Sequence, residues 1–204
     1  QGANVGDCLY EDISGPNGEP DGVIDAYDQT VLGSGLPKVN FGLSTHMEYK
    51  GFDLNISTYG VLNYHVSDDI YNSLNSCYGY GNKEVGMLDA NRWSEDGTYL
   101  SSVPRTYAAN NATLAWNDLF SSRKIQNAAY WKIANVELGY NFPDKWFGGY
   151  VSGVRLYVSA QNLYTFTGYH GYNVDYAGGT FTPGYNFCSF PSARTFMCGL
   201  HFTF

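Results

Sequence analysis

The sequence is poor in charged residues, and in positive charge above all. Only 15% of its 204 residues are charged, and 11 Lys and Arg against 19 Asp and Glu give a net charge of -8. Binding to nucleic-acid phosphates requires a cluster of basic side chains. Since the basic residues form no such stripe along the chain, we expect no nucleic-acid partner.

Long apolar runs are absent as well. No stretch of about 18 apolar residues occurs, which excludes a transmembrane helix, and the mean hydropathy is -0.30. Alternating strands of a membrane barrel give only a weak hydropathy signal, so the low hydropathy does not exclude such a barrel. The first residues, QGANVGD, lack the charged and apolar regions of a signal peptide. We expect either that a signal has been removed or that the natural product begins earlier.

The chain also lacks the residue spacings of common metal and catalytic sites. None of its four cysteines forms a CxxC pair, which argues against a zinc site. The sequence does not decide whether two of Cys8, Cys77 and Cys188 form a disulfide. The histidines have no serine, cysteine or carboxylate partner at a telling spacing: His46, His65, His170 and His201. We find no catalytic constellation and predict that the chain is not an enzyme.

Aromatic residues and glycine are abundant instead. The chain contains 19 Tyr, 12 Phe and 24 Gly. Many aromatic residues and glycines with few charges are typical of β-structure that has interfacial aromatic belts and long loops.

Five segments alternate apolar and polar residues with the period of a β-strand. The last, residues 192–204, places one uncharged, mostly aromatic set on a single face: Phe196, Cys198, Leu200, Phe202 and Phe204. The same alternation predicts a hairpin over 41–49 and 52–59 around Lys50-Gly51, and strands over 130–141 and 154–160. In the strand over 130–141, Lys132 falls on the apolar face near its outer end, where its amine can snorkel toward lipid headgroups.

Two long polar, turn-rich segments, 63–127 and 165–191, separate these strands, whereas the other connections are short. Aromatic residues cluster at both ends of the hairpin 130–166, one cluster around Phe142 and Trp146 and the other around Tyr130, Trp131, Tyr164 and Phe166. Outer-membrane barrels have short periplasmic turns, long extracellular loops and two aromatic girdles. We therefore predict an all-β chain, an antiparallel transmembrane β-barrel segment with long extracellular loops. Residues 1–39 form an extracellular segment and residues 40–204 form the barrel strands and loops.

The segment NGEPDGVIDAYD, residues 17–28, has the pattern of a calcium-binding loop. Oxygen ligands at alternate positions, a backbone carbonyl and a glycine at the sharp turn are what such a loop needs. The predicted ligands are Asn17, Glu19, Asp21, the carbonyl of Val23, Asp25 and Asp28, with Gly22 at the turn and Asp12 as an additional or supporting residue. Because Asn17 and the short Asp28 depart from the usual ligands, we expect modest affinity for calcium or tolerance of magnesium. The alternative is a solvated acidic turn, since Asn-Gly and Pro-Asp-Gly are strong turn formers.

Taken together, GDCLYEDISGPNGEPDGVIDAYDQTVLGSGLPKVNFGL, AAYWKIANVELGYNFP, VRLYVSAQNLYTFTGYHGYNVD and FPSARTFMCGLHFTF resemble the C-terminal part of the SusC/RagA-type TonB-dependent outer-membrane transporters of Bacteroidetes. The family usually has a shorter D-x-N-G-D-G where this chain has an insertion before Asp21, and often Asp-Pro-Glu where it has Asn173-Val-Asp175.

The resemblance implies a transporter of 22 strands with an N-terminal plug. About five strands are too few to close a barrel, so we expect the chain to pair along both sheet edges with the remainder of the barrel. The resemblance also implies a SusD-like surface lipoprotein as partner, energy from the TonB complex through the plug, contact with membrane lipid, and location in the bacterial outer membrane.

The leading hypothesis for function is therefore import of a nutrient oligomer, an oligosaccharide or a peptide. Candidate substrate contacts are residues of the polar face or the loops whose aromatic or guanidinium groups suit such ligands: Tyr59, Arg92, Trp93, Tyr157 and Tyr169. The charged residues Glu48, Asp53, Glu137 and Arg155 are expected to form an ion-paired or solvated lumen wall. The alternative is a secreted calcium-stabilised β-sandwich, a carbohydrate-binding module, which would need its apolar faces buried against a second sheet.

Overall fold

We analysed a computed structural model, which describes residues 4–76, 82–87, 93–94, 103–105, 114–147, 151–175 and 179–203. The strands are β1 (Val39–Tyr49), β2 (Phe52–Leu62), β3 (His65–Asp68), β4 (Gln126–Asn127), β5 (Tyr130–Phe142), β6 (Gly153–Thr167), β7 (Tyr185–Asn186) and β8 (Thr195–Thr203). The α-helices are α1 (Asp69–Leu74) and α2 (Leu114–Asn117), and single 3-10 turns lie at Ala26–Asp28, Val85–Met87, Ser122–Lys124 and Asp144–Phe147. Within these described ranges, no helix has both the length and the apolar character needed to cross a membrane.

Five of the strands form one antiparallel sheet in the order β1-β2-β5-β6-β8. These are the five predicted strands, and the predicted turn between β1 and β2 is Lys50-Gly51. Both turn residues have positive φ, 49° and 88°, which is the conformation of a two-residue hairpin turn that matches strand twist. The remaining strands, β4, β3 and β7, form a separate three-stranded sheet.

The large sheet has two chemically different faces. Cross-strand pairs such as Leu54 with Leu138 and Val158 with Cys198 lie on the apolar face, and pairs such as Asn55 with Glu137 lie on the polar face. Apolar-face side chains stay exposed: Leu43 at 62%, Leu200 at 58% and Phe196 at 66%. A β-sandwich would bury these side chains, whereas the wall of a membrane barrel turns them toward lipid. The predicted division into two faces is therefore confirmed, and the exposure favours the barrel.

One assignment of faces was wrong, because β5 contains a bulge at Ala134. The pairing with β2 shifts there: Asn135 lies opposite Ser57, but Ile133 lies opposite Thr58, so Ala134 is the extra residue. Since side chains alternate strictly along a strand, one extra residue exchanges the faces beyond it. Lys132 therefore lies on the polar face, opposite Tyr59, and not on the apolar face where strict alternation placed it.

The aromatic clusters at the two ends of the sheet are confirmed, with one change. At the turn end, the rings of Tyr140 and Phe142 lie 4.9 Å apart, and those of Phe142 and Trp146 lie 5.9 Å apart. At the loop end, Trp131 stacks on Phe166 at 5.3 Å. Tyr130, by contrast, follows Lys132 to the polar face and is buried in a core cluster with Tyr64, Val66, Ala128, Tyr169 and Val174.

The chain divides into two compact units by its contacts: residues 1–33 with 67–125, and residues 34–66 with 126–204. The second unit contains the large sheet and its buried cluster. The predicted boundary at residue 39 separates the acidic segment from the barrel strands. It stays a prediction, since the two units are defined by contacts and not by which residues lie outside the membrane.

The first unit is held by hydrogen bonds to its N-terminal segment. The Asp7 carboxylate accepts bonds from the Asn4 amide at 2.6 Å, Arg105 Nε at 2.9 Å and Asn117 Nδ2 at 3.1 Å. Burial acts to raise the pKa of Asp7, but these three donors outweigh it and hold the pKa below its usual value. Cys8, which lies next to this site, is a free thiol. Cys188 and Cys198 are also free thiols, and Cys77 lies outside the described residues.

Adjacent residues of β8 provide a test of the two faces. In the complete barrel, Cys198→Arg should lower stability by about 2–4 kcal/mol, because it places a charge at mid-strand on the lipid side. Met197→Arg places the same charge on the polar face and should change stability little. Loss of the folded band of each variant on heating, followed by electrophoresis without boiling, measures the difference. Equal effects of the two substitutions would contradict the assignment of faces.

Candidate functional site

The polar face carries an ion-paired network across three strands. Arg155 on β6 donates to Asp53 on β2, Nε to Oδ1 at 3.0 Å and Nη2 to Oδ2 at 2.5 Å, and also to Glu137 Oε1 on β5 at 2.6 Å. Asn141 Nδ2 donates to Asp53 Oδ1 at 3.1 Å. Asp53 is only 5% exposed, and a buried carboxylate requires such partners. The predicted ion-paired wall is therefore present.

The absence of a side chain at Gly139 leaves the space that this network occupies. It pairs with Asp53 on one side and Tyr157 on the other. A Cβ atom at Gly139 would lie 2.5 Å from Asp53 Oδ1 and 2.6 Å from Arg155 Nη2. The bidentate pair thus crosses the sheet directly above the backbone of Gly139.

A second polar group lies on the hairpin of β1 and β2. His46 Nδ1 lies 2.6 Å from Asn55 Oδ1, and Nε2 lies 3.0 Å from Glu48 Oε1. With the Arg155 network, this group gives the face hydrogen-bonding side chains on β1, β2, β5 and β6 and carboxylates that have polar partners. Such a surface suits a water-filled lumen.

At the loop end of the polar face, Lys132 forms a buried ion pair with the carboxylate of Asp175. Asp175 lies in the loop that follows β6. Lys132 is 3% exposed. Its amine also lies 6.0 Å from the centre of the Tyr59 ring, and that ring contacts Tyr130 edge to face at 6.1 Å. The pair therefore fixes residues 172–175 to the wall of the sheet.

A cavity of about 310 Å³ opens beside this ion pair, and we call it the loop-end cavity. It is lined by residues of β5 and β6, the loop after β6 and the approach to β8: Lys132, Asn162, Tyr164, Thr165, Thr167, Tyr169, Gly171, Tyr172, Asn173, Val174, Asp175, Ser192 and Arg194. Its volume lies in the range of small-ligand sites. It lies at the end of the polar face from which the loop after β6 departs.

The predicted substrate residues do not form one site. Tyr59 lies on the polar face against the Lys132 and Asp175 pair, and Tyr169 lines the loop-end cavity. Tyr157 lies further along the polar face, where Arg155 Cζ is 5.2 Å from its ring centre. Arg92 lies outside the described residues. The structure therefore brings only Tyr59 and Tyr169 near a common ion pair.

Two of these residues have structural contacts. Tyr169 is only 7% exposed, and its hydroxyl accepts a bond from Asn186 Nδ2 at 2.8 Å, so most of its ring belongs to the core cluster. Trp93, in the first unit, packs on Gly6, where a Cβ would lie 2.7 Å from Trp93 Cδ2. Their role as substrate contacts stays a prediction.

In the acidic loop, the carboxylates bind backbone amides. Asp21 Oδ1 accepts from the Val23 amide at 2.9 Å, and Asp25 Oδ1 accepts from the Tyr27 amide at 2.8 Å. Asp28 Oδ2 accepts from the Asp25 amide at 2.8 Å, and its Oδ1 accepts from Ile13 and Ser14 at 2.9 and 3.2 Å. Among the residues described, no three acidic, histidine or cysteine side chains converge on a metal position. In this conformation the loop closes through its own amides, and calcium stays a prediction.

The sequence patterns did not identify Lys132 or Asp175 as parts of the polar face, and they gave Gly139 no role there. Lys132 gave one signal, since strict alternation put its positive charge on an otherwise apolar face. Asp175 was named only as a departure in the resemblance, and nothing local marks Gly139, because its role depends on side chains from β2 and β6.

No family model matches the chain. It is 31% identical over 210 residues to TonB-dependent receptor P3 of Formosa agariphila, an alignment that covers 99% of this chain and 19% of the relative. It is 26% identical over 208 residues to TonB-dependent receptor SusC of Bacteroides thetaiotaomicron, covering 96% and 19%. The chain thus spans about a fifth of the length of the curated relatives it matches.

Solved structures with the same fold include the RagAB peptide importer. In its closed-closed state the TM-score is 0.73 at 23% identity, covering 93% of this chain and 20% of the other. In a structure of the RagAB peptide transporter the TM-score is 0.71 at 24% identity, covering 85% and 18%. At these identities the likeness shows the fold alone, an antiparallel segment of a β-barrel.

The network above Gly139 predicts a sharp difference between two glycines of the sheet. Gly139→Ala should destabilise the barrel by about 1–3 kcal/mol, because the added methyl group forces Asp53 and Arg155 apart. Gly42→Ala should be nearly neutral, since the nearest atom to its Cβ is the Thr58 oxygen at 3.8 Å. Thermal unfolding of the full-length receptor in detergent gives both values. If Gly139→Ala proves as stable as Gly42→Ala, the close packing of the network is wrong.

The acidic loop should be sensitive to acid through Asp28. The Asp25 amide, followed by the Ile13 amide, holds the pKa of Asp28 below its usual value of 3.8. The charged carboxylate therefore stabilises the loop above the unfolded pKa, and this contribution is lost as pH falls through the lowered folded pKa. Asp28→Asn should weaken protection of the Ile13, Ser14 and Asp25 amides at neutral pH, as measured by hydrogen exchange. Glu19→Gln removes a charge from the same loop and should leave these amides protected; equal loss in both variants would contradict the capping role.

Proposed function

The chain is a segment of a SusC/RagA-type TonB-dependent receptor, and we propose that it forms part of the barrel wall through which such a receptor imports a nutrient oligomer across the outer membrane. The observation that carries the proposal is the sheet itself, with one exposed apolar face and one ion-paired polar face. Homology over nearly the whole chain to TonB-dependent receptors supports it.

The proposed substrate is an oligosaccharide or a peptide. RagAB is a peptide importer by its description, but its likeness to this chain lies in the fold. The polar face has hydrogen-bonded charges and the exposed ring of Tyr59, which suit passage of a polar oligomer. Transport of this kind requires binding, release and a source of energy, but no chemical change in the substrate.

The proposed partners follow from the family. The remaining barrel strands pair with the free edges of β1 and β8, and a SusD-like surface lipoprotein covers the loop end. The TonB complex supplies energy through the plug. Within the described part of the chain, β1 and β8 lie at the two edges of the large sheet, which supports the first of these partnerships, since edge strands recruit further strands.

Location, partner and energy dependence can be tested together in cells. The full-length receptor should be found in the outer-membrane fraction, require detergent for extraction and co-purify with a surface lipoprotein. Uptake of its oligomer should stop when a protonophore removes the energy source for TonB. A product that is soluble without detergent at the 22.6 kDa mass of this chain, or uptake that persists without energy, would contradict the proposal.

We further propose that residues 17–28 bind calcium or magnesium with modest affinity. The donors are all oxygens, as both ions prefer, and Asp12 Oδ1 beside the loop is buried without a hydrogen-bond partner among the described residues. Binding would require the amide-capped carboxylates to rearrange. Calorimetric titration of the full-length receptor should give a Kd on the order of 10⁻⁴–10⁻³ M for calcium, weakened by Asp21→Asn. If no heat of binding is measured, or if the variant gives the same heat as the wild type, the segment is a solvated acidic turn and not a metal site.

A further inference from the structure

The acidic loop contains Asn17 followed by Gly18, the one Asn-Gly pair in the sequence. In such a pair the glycine nitrogen loses its proton to base and attacks the asparagine Cγ, since glycine has no side chain to block the approach. The new C–N bond closes a succinimide ring, the Cγ–Nδ2 bond breaks and ammonia leaves. Water then opens the ring to aspartate or isoaspartate. The fold around the pair decides whether this reaction takes place.

Both reacting groups of the pair are accessible. Asn17 and Gly18 are exposed, and a Cβ atom on Gly18 would have no other atom within 4 Å. Among the residues described, the Asn17 side chain has no hydrogen-bond partner. The Gly18 amide donates to the Gly15 carbonyl at 2.9 Å, and this bond has to open before the nitrogen reaches Cγ. One solvent-exposed backbone bond contributes little to stability, so the turn opens readily.

The other Asp-Gly or Asn-Gly step of the acidic loop, Asp21-Gly22, is held more firmly. The Gly22 amide donates to Asp12 Oδ2 at 2.6 Å, and Asp21 Oδ1 accepts from the Val23 amide at 2.9 Å. A hydrogen bond to a carboxylate is stronger than one to a neutral carbonyl, and a carboxylate is a poorer target for a nucleophile than an amide. The structure therefore favours reaction at Asn17 over reaction at Asp21.

The Asn-Ser pairs in α1 and at its C-terminal end are held as well. Asn72 Nδ2 donates to Ser67 Oγ at 3.1 Å. Asn75 Nδ2 donates to the Tyr71 carbonyl at 2.9 Å and to Glu84 Oε2 at 2.8 Å. These bonds hold both side-chain amides away from the following backbone nitrogen. Asn72 and Asn75 therefore provide an internal comparison for Asn17 in the same protein.

We propose that Asn17 is a site of spontaneous deamidation, through which the acidic loop gains a carboxylate at its first ligand position. The modification needs only water and does not depend on metal binding by residues 17–28. Its consequence does rest on that proposed metal site. Because aspartate is the usual first ligand of a calcium loop, the aspartate product should bind calcium more tightly than the asparagine form.

Mass spectrometry of peptides from the full-length receptor tests the modification. During storage in mildly alkaline buffer, the peptide that contains Asn17 should gain one mass unit and separate into two products, one of which isoaspartyl methyltransferase labels. Asn72 and Asn75 should stay unmodified over the same period. Gly18→Ala should slow the reaction at Asn17 severalfold, because a methyl group hinders the attacking nitrogen. Gly22→Ala makes the same change at a glycine of matching φ, 82° against 81°, and should leave the rate unchanged.

Three results would overturn the proposal. They are no gain of mass at Asn17, a gain that is as fast at Asn72 or Asn75, and equal slowing by Gly18→Ala and Gly22→Ala.

Calorimetry with calcium separates the modification from its consequence. Asn17→Asp reproduces the aspartate product and should bind calcium severalfold more tightly than the unmodified wild type. Equal affinity of the two proteins would contradict the link to metal binding. If neither protein binds calcium, the proposed metal site is wrong, whereas the gain of mass at Asn17 still decides the modification.

Discussion

Each strand of the five-stranded sheet meets two environments, and the alternation of side chains along a strand is the constraint on which the rest of the structure depends. The apolar face of β8 and its neighbours is exposed because, in a barrel, lipid covers it. The polar face then has to satisfy charged groups within the protein. A sheet in one solvent would have no reason to keep large apolar groups such as Leu200 exposed.

The bulge at Ala134 shows how strongly function depends on that alternation. One extra residue moves Lys132 from the lipid side to the lumen side and moves Tyr130 with it. The buried ion pair with Asp175, the Tyr59 contact and the anchoring of the loop after β6 all follow from this exchange. Bulges are common where a barrel wall must redirect a side chain toward a site, and here the redirected side chain forms the base of the loop-end cavity.

The polar face also shows how charge is accommodated in the wall. Arg155 pairs with two carboxylates, and Gly139 provides the space in which they meet. The result is a surface rich in hydrogen-bonding groups but without an isolated charge in this network. A polar oligomer can move along such a surface without strong binding to any one charged residue, which is what transport through a lumen requires.

The sequence by itself determined the strands, the two faces, the short turns and the aromatic ends, because these follow from local periodicity and from the identity of neighbouring residues. It also determined that residues 17–28 are rich in acidic side chains. Only the tertiary structure decided where the alternation breaks, since the Ala134 bulge is set by pairing with β2 and β6 and leaves no mark in the local pattern. Only the tertiary structure brought Lys132 to Asp175, 43 residues away, and Arg155 to Asp53, 102 residues away. It also placed the loop carboxylates on backbone amides, because hydrogen-bond partners depend on how a loop closes and not on which residues it contains.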